Sequence, residues 1–286
     1  MPSNISPSVF VVSNFVQACC WFVPRIPLAG ETLSASKVQI EAGGKGLNVA
    51  IGLHRLGLSI DSLIGCGTDS AATVLLDLFK KEQMNDQYIF QFEGSSGWGS
   101  GWIAKDGQNA IAVSLGANLL LDSSHIEQAR SSIEQAQLVY GQFETSITAV
   151  QTSFEIARAH NITSVLNPSP WQTPTPSIEQ HTHIIICNEI EAQYLLALDD
   201  PLGNNIEAIQ AKIQTLLPLF WQKWSDLQLL IITLGSLGCM AFQRPKSSNV
   251  SGELLYKQAK KIHAIDTVGA GDGFACGFCF AYVKNL

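Results

Sequence analysis

From residue 9 to residue 233 the chain alternates short runs rich in Ile, Leu and Val with stretches of helical periodicity. The runs fall at residues 9–12, 62–65, 138–142, 164–167, 183–187 and 228–233. Several are continuously apolar, the pattern of strands buried on both faces rather than one. The intervening stretches carry helix punctuation. Residues 46–56 present Leu47, Ala50, Ile51 and Leu53 on one face and end before Gly57, a good C-terminal cap. Asp69 can cap a helix over 70–81, and Asp122 one over 123–136. Strands and helices in strict alternation dictate an α/β fold with a largely parallel sheet and helices on both faces.

The composition narrows the class of protein. Only 14% of the 286 residues are charged, against roughly 25% in ordinary soluble domains, and 46% are hydrophobic. A chain this apolar is not disordered. The net charge of −7 and the absence of any Lys/Arg-rich run argue against nucleic acid as a partner. Seven cysteines at scattered spacings are no disulfide framework, which points to a reducing, cytoplasmic setting. Cys276 and Cys279 read as small packing residues on one helix face, since no second pair completes a zinc site. The apolar run over 9–23 is too short for a membrane span and is broken by Ser13, Asn14 and Gln17. The six histidines show no metal-ligand spacing.

Two segments, 32–41 and 98–115, read as extended chain without helices between, the second turning at Lys105-Asp106-Gly107-Gln108. Strands of this kind lie outside a parallel sheet, either as a surface hairpin or as a flap over a site. The glycine stretch Gly65-Cys66-Gly67-Thr68-Asp69-Ser70 follows one strand and precedes a helix, an imperfect version of a dinucleotide-binding turn.

The densest chemistry lies in Asp266-Thr267-Val268-Gly269-Ala270-Gly271-Asp272-Gly273, ahead of an apolar helix. Small residues entering a helix leave backbone N–H groups directed at one spot, and the helix dipole adds positive potential there. An Asp beside such an anion cradle is placed to take a proton from a hydroxyl, as phosphoryl transfer to an alcohol requires. The same residues also suit a plain glycine turn whose Asp favours the dipole. A second cluster, Gly43-Gly44-Lys45-Gly46-Leu47-Asn48, opens another helix. It is not a Walker loop, because Lys45 is followed by Gly rather than Ser or Thr. Lys45 and Asn48 suit polyol oxygens, or the cluster is a turn with a solvated cation.

Taken together and in this order, the two clusters resemble the signatures of the ribokinase-like (PfkB) family of carbohydrate kinases. Lesser landmarks follow suit: Leu115-Gly116-Ala117-Asn118, Asn167-Pro168-Ser169-Pro170, Asn188-Glu189-Ile190-Glu191 and Thr233-Leu234-Gly235-Ser236-Leu237-Gly238. The resemblance implies a single kinase domain over 1–286, a three-layer sandwich with a mostly parallel central sheet and a small β lid near 32–41 and 98–115. It implies ATP-dependent phosphorylation of a hydroxymethyl group on a sugar or sugar-like alcohol, with Asp272 as base. Gly269, Ala270 and Gly271 would form the anion hole, and Gly44, Lys45, Asn48 and Glu144 would hold the acceptor. Asn188, Thr233, Gly235, Ser236 and Gly238 would line the ATP site, and Glu191 would act on Mg²⁺ through water. Asp266 and the Val268 carbonyl would hold a monovalent cation such as K⁺. The resemblance also allows a homodimer joined through the lid.

Two departures from the family pattern bear on function. Ribokinase places an Asn and an Asp on its first strand to grip sugar hydroxyls; Val16 and Ala18 stand at those positions here, which speaks against ribose. The chain also runs only to Leu286, 14 residues past Asp272, where family members continue into further helices, part of the adenine pocket and more cation ligands. Those parts are expected to be absent, which keeps a non-catalytic sugar- or nucleotide-binding protein of the same fold as the alternative.

Overall fold

Val9 and Val11 point to one side of the first strand and Phe10 and Val12 to the other, and all four are inaccessible to solvent. Period-two alternation with both sides apolar requires cover on both faces, and the computed structural model supplies it. The structure describes residues 8–246, 252–262 and 267–286.

In chain order the strands are β1 (Val9–Val12), β2 (Val16–Val23), β3 (Lys37–Gly43), β4 (Ile60–Cys66), β5 (Ile89–Gln91), β6 (Gly97–Ala104), β7 (Asn109–Ser114), β8 (Leu138–Gln142), β9 (Thr163–Asn167), β10 (Ile184–Asn188), β11 (Leu229–Thr233), β12 (Cys239–Gln243) and β13 (Leu254–Lys257). Nine form one sheet in the order β13-β12-β11-β10-β9-β8-β1-β4-β5. Its strands run parallel from β11 to β5, while β12 and β13 turn antiparallel at one edge. The other four form a small sheet in the order β3-β2-β6-β7.

The helices are α1 (Lys45–Arg55), α2 (Ser70–Glu82), α3 (Ser123–Gln128), α4 (Arg130–Gln135), α5 (Ile147–Ala159), α6 (Pro176–His181), α7 (Glu189–Leu195), α8 (Ile206–Lys223) and α9 (Ala270–Lys284). One face of the large sheet packs on α3 to α8, with Phe10, Phe154, Ile185 and Leu230 at its centre. The other packs on α1 and α9 through Val11, Leu53, Tyr140 and Cys279. Each fully buried side chain of this size contributes about 1.5–3 kcal/mol, so the layers hold the sheet as one unit. Cys276 and Cys279 are indeed packing residues: both are buried against α1, where the Cys276 thiol points at the Val49 carbonyl at 3.6 Å.

The six expected strands are present, and Asp69 and Asp122 cap helices as anticipated. Two features differ from the sequence reading, and one strand, β2, goes beyond it. The apolar run over 9–23 is two strands, because the chain leaves the large sheet after β1 and enters the small one as β2. The helix expected over 123–136 divides at Ala129, where i→i+3 bonds to Ile126 and from Ser132 tighten the backbone. Lys37–Gly43 forms the strand expected over 32–41, shifted toward the helix that follows. Among the described residues, no helix is long and apolar enough to cross a membrane.

The glycines at 65 and 67 make no dinucleotide cradle. A Cβ on Gly67 would collide with the Gly94 carbonyl and the Ser96 amide, so the chain entering β6 already fills that hollow. The Asp69 carboxylate accepts from Ser96 N (2.9 Å) and Oγ (2.7 Å), tying the root of the small sheet to α2.

Candidate active site

Helices α1 and α9 lie side by side and start at the same end of the sheet, so residues over 200 positions apart meet at their first turns. On α9, Gly269 adopts the left-handed conformation (φ 74°) that turns the chain into the helix, and Asp272 follows in the first turn. On α1, Gly44 takes φ 121°, and a Cβ there would press on the Asn14 side chain. Asn48, one turn into α1, donates its Nδ2 proton to Asp272 Oδ2 at 2.7 Å.

Asp272 is 8% exposed. Burial pushes its carboxyl above the ordinary aspartate range. The Asn48 hydrogen bond and the Lys45 charge pull it down, while Glu144 and Glu191 push it further up. A carboxylate held this way is a stronger proton acceptor than a solvated one.

Beside this pair lies a polar cluster at the β1–β2 link. Asn14, fully buried, donates to Glu144 Oε2 (3.0 Å) and accepts from Gly46 N (2.9 Å) and Gln142 Nε2 (3.2 Å). The Lys45 N–H donates to the same Glu144 oxygen at 3.0 Å, and Gln142 in turn accepts from the Glu144 amide. The β1 link, the α1 entrance and the β8 exit are thus joined around one carboxylate.

Across the sheet edge, Asn188 and Glu191 form a reciprocal cap on α7: Glu191 N donates to Asn188 Oδ1 (2.8 Å), and Asn188 N donates to Glu191 Oε2 (3.0 Å). Asn188 stands in register with Thr233 of β11. Gly238 takes φ 114°, where a Cβ would run into the Lys257 carbonyl of β13. These elements and the start of α9 enclose a cavity of about 570 Å³.

Nine of the residues singled out from sequence line this cavity: Lys45, Asn188, Thr233, Gly235, Gly238, Gly269, Ala270, Gly271 and Asp272. Gly44, Asn48 and Glu144 belong to the polar cluster and the Asp272 contact instead. Ser236 and Val268 lie off the cavity lining, and Asp266 lies outside the described residues. The Ala270 N–H, expected to face an anion, donates within the turn to the Thr267 carbonyl at 3.2 Å. Lys257 and Cys239 also line the cavity and carry no sequence signal, since only the antiparallel edge brings β12 and β13 to it; Glu189, which lines it too, lies in the Asn188-Glu189-Ile190-Glu191 landmark. Gln142 did carry one: a polar side chain closing an otherwise apolar buried strand.

At this end of the α/β sheet a buried carboxylate at a helix start thus faces a cavity bounded by two further strand ends. The model of the pfkB family carbohydrate kinases matches residues 7–286, and the chain belongs to that family. It is a carbohydrate kinase, a transferase. It is 31% identical to the ribokinase of Staphylococcus aureus over 90% of its own length and 80% of the relative's. It is 29% identical to the ribokinase of Mus musculus over 98% and 83%. Its fold superposes with a TM-score of 0.82 on the Arabidopsis thaliana ribokinase solved with ribose and ATP, at 22% identity, covering 98% of this chain and 87% of that one.

Proposed function

We propose that the chain transfers the terminal phosphoryl group of ATP to a hydroxymethyl group of a sugar or sugar-like alcohol, with Asp272 as the base. The observation carrying this reading is Asp272 itself: buried, raised in pKa, held by Asn48 and lining the 570 Å³ cavity. Asp272 takes the acceptor proton; the freed oxygen bonds to phosphorus as the bond to the ADP oxygen breaks, and ADP carries away the negative charge. Asn188, Thr233, Gly235 and Gly238 bound the nucleotide side of the cavity, and Lys45 brings a positive charge to the phosphate side. The acceptor lies by Asn14, Gly44 and Glu144.

Among the described residues, no three acidic, Cys or His side chains converge to bind a metal directly. Mg²⁺ would be held by phosphate oxygens and waters, with Glu191 acting at one remove, and would neutralise charge developing on the phosphates. A monovalent cation at Asp266 and Val268 rests on the family resemblance alone.

The acceptor is less polar than ribose at the end away from the transferred phosphate. Val16, Ala18 and Cys20 share one side of β2, beside Gly97, Gly99 and Gly101 of β6 and Gly43, Glu41 and Gln39 of β3. A Cβ on Gly43, Gly99 or Gly101 would come nearest to Val16, Ala18, Cys20, Val113 or Ile111, so that side is apolar along β2, β6 and β7, while Glu41 and Gln39 make its β3 edge polar. The opposite lid face exposes Trp21, Val38, Ile40 and Trp98, in register across three strands. That face suits a homodimer through the lid, for which sedimentation of wild type and Ile40→Lys is the check.

The decisive experiment follows ADP release from ATP and Mg²⁺ with a panel of pentoses, deoxypentoses and nucleosides. Asp272→Asn is expected to lose about 10²–10⁴-fold in rate. An unchanged rate removes Asp272 as the base, and acceptor binding without any turnover supports the non-catalytic alternative.

A further inference from the structure

We propose that Asn118 is a positioning residue for the acceptor site: it locks Asn14 and Glu144 into one register with the root of the lid. The inference rests on the acceptor reading given above for Asn14 and Glu144.

Asn118 lies in the short helical turn Gly116–Leu120 just after β7, and it is fully buried. Its Oδ1 accepts from Phe15 N (2.8 Å), and its Nδ2 donates to the Phe15 carbonyl (2.7 Å) and the Leu115 carbonyl (2.7 Å). Its own carbonyl accepts from Thr145 Oγ1 (3.2 Å) and Ser146 N (3.2 Å). Phe15 directly follows Asn14, and Thr145 directly follows Glu144. The Asn14–Glu144 hydrogen bond closes the ring.

A primary amide presents an acceptor oxygen and two N–H donors on one neutral planar group, which meets the Phe15 N–H and carbonyl as a neighbouring strand would and still reaches Leu115; a hydroxyl has a single donor and cannot. Asp accepts but donates nothing when ionised, and Leu does neither. The fit is also sterically tight, because a Cβ on Gly97 would strike the Phe15 carbonyl and sit 2.7 Å from Asn118 Nδ2. Leu115 directly follows β7, the strand by which the chain leaves the lid, so a shift of the lid root pulls on Asn118. Through Phe15 and Thr145, that pull reaches both acceptor-side groups. The residues that Asn118 bonds directly, Phe15, Leu115, Thr145 and Ser146, do not line the cavity.

The test uses the full chain with D-ribose and 2-deoxy-D-ribose as probe acceptors, in steady-state kinetics and in calorimetry. Asn118→Asp is expected to weaken acceptor KM and Kd by about 10- to 100-fold while the KM for ATP stays within about twofold. Combined with Glu144→Gln, it should add little to the loss from Glu144→Gln alone, because both act on the same carboxylate. Thr145→Val, a milder change nearby, should weaken the acceptor by about 3- to 5-fold and covers the case in which Asn118→Asp fails to fold. Additive losses with Glu144→Gln, or equal losses for ATP and acceptor, would overturn the proposal. A wild type that binds a probe acceptor without phosphorylating it sinks the kinase reading but leaves this one decided by the calorimetry.

Discussion

Asn48 on α1 and Asp272 on α9 share a hydrogen bond of 2.7 Å across 224 positions of chain, and that contact counters the effect of burial on the Asp272 carboxyl. Burial holds the Asp272 carboxyl above the ordinary aspartate pKa, and Asn48 opposes the rise. A base works when ionised, so kcat/KM should fall on the acid side through a pKa above the usual aspartate value of about 3.9. Asn48→Ala removes a contact that favours the charged form. The acid limb of its pH profile should move to higher pH; a limb that stays put or moves down rules out Asn48 as the partner that lowers the pKa.

The same shift has a consequence for stability. Folded Asp272 binds its proton more tightly than unfolded Asp272, so the ionised form weakens the fold once the pH passes the raised pKa. Below the unfolded value of about 3.9 both states are protonated and the penalty is gone. Asp272→Asn should therefore unfold at higher denaturant than wild type at pH 7, with the difference closing below pH 4 or so. Urea titrations at the two pH values decide it, and a variant less stable at pH 7 contradicts the expectation.

Gly46 sits where α1 passes the β1–β2 link. A methyl group there would lie 2.5 Å from Ser13 Cα and 3.0 Å from Asn14 N, and backbone cannot swing aside. Gly46→Ala is expected to cost about 1–3 kcal/mol, read as a lower denaturant midpoint. Gly277→Ala on α9 meets nothing within 4 Å and should instead stabilise by up to about 1 kcal/mol. Equal effects from the two would show that helix propensity, not the Ser13 contact, dominates.

Ala18 tests the acceptor. It stands on the lid side shared by Val16, between the glycines at 43 and 99 and directly across from Glu41 of β3. Ala18→Asp introduces a carboxylate that can accept sugar hydroxyls, each such bond being worth roughly 1.5–3 kcal/mol. The KM for D-ribose should fall by about 10-fold or more relative to that for a deoxypentose. No change in the ratio would place the acceptor away from this face.

Much of this protein is legible in its residue order. The Ile/Leu/Val runs declare buried parallel strands because a strand enclosed on both faces has no polar side to show. Asp69 and Asp122 declare helix starts because capping acts over two or three residues. The glycines at 44 and 269 likewise mark backbone that other residues adopt poorly, with φ of 121° and 74°. Cys276 and Cys279 read as packing residues from their spacing on one helix face in an apolar stretch and from the lack of a second pair for a zinc site.

What stayed hidden depends on distance along the chain. Nothing near Val16 tells that β2 leaves the large sheet, since its partners β3 and β6 are chosen by pairing across the lid. Nothing near Lys257 tells that it borders the cavity. Asn118 reads as one polar residue in a turn until the fold sets it between Phe15 and Leu115. Periodicity, capping and turn chemistry act within a few residues, so sequence determined the elements and the two glycine-rich helix starts. The raised pKa of Asp272, its bond to Asn48 and the ring around Glu144 arise from burial and from contacts between remote segments, and only the tertiary structure decided those.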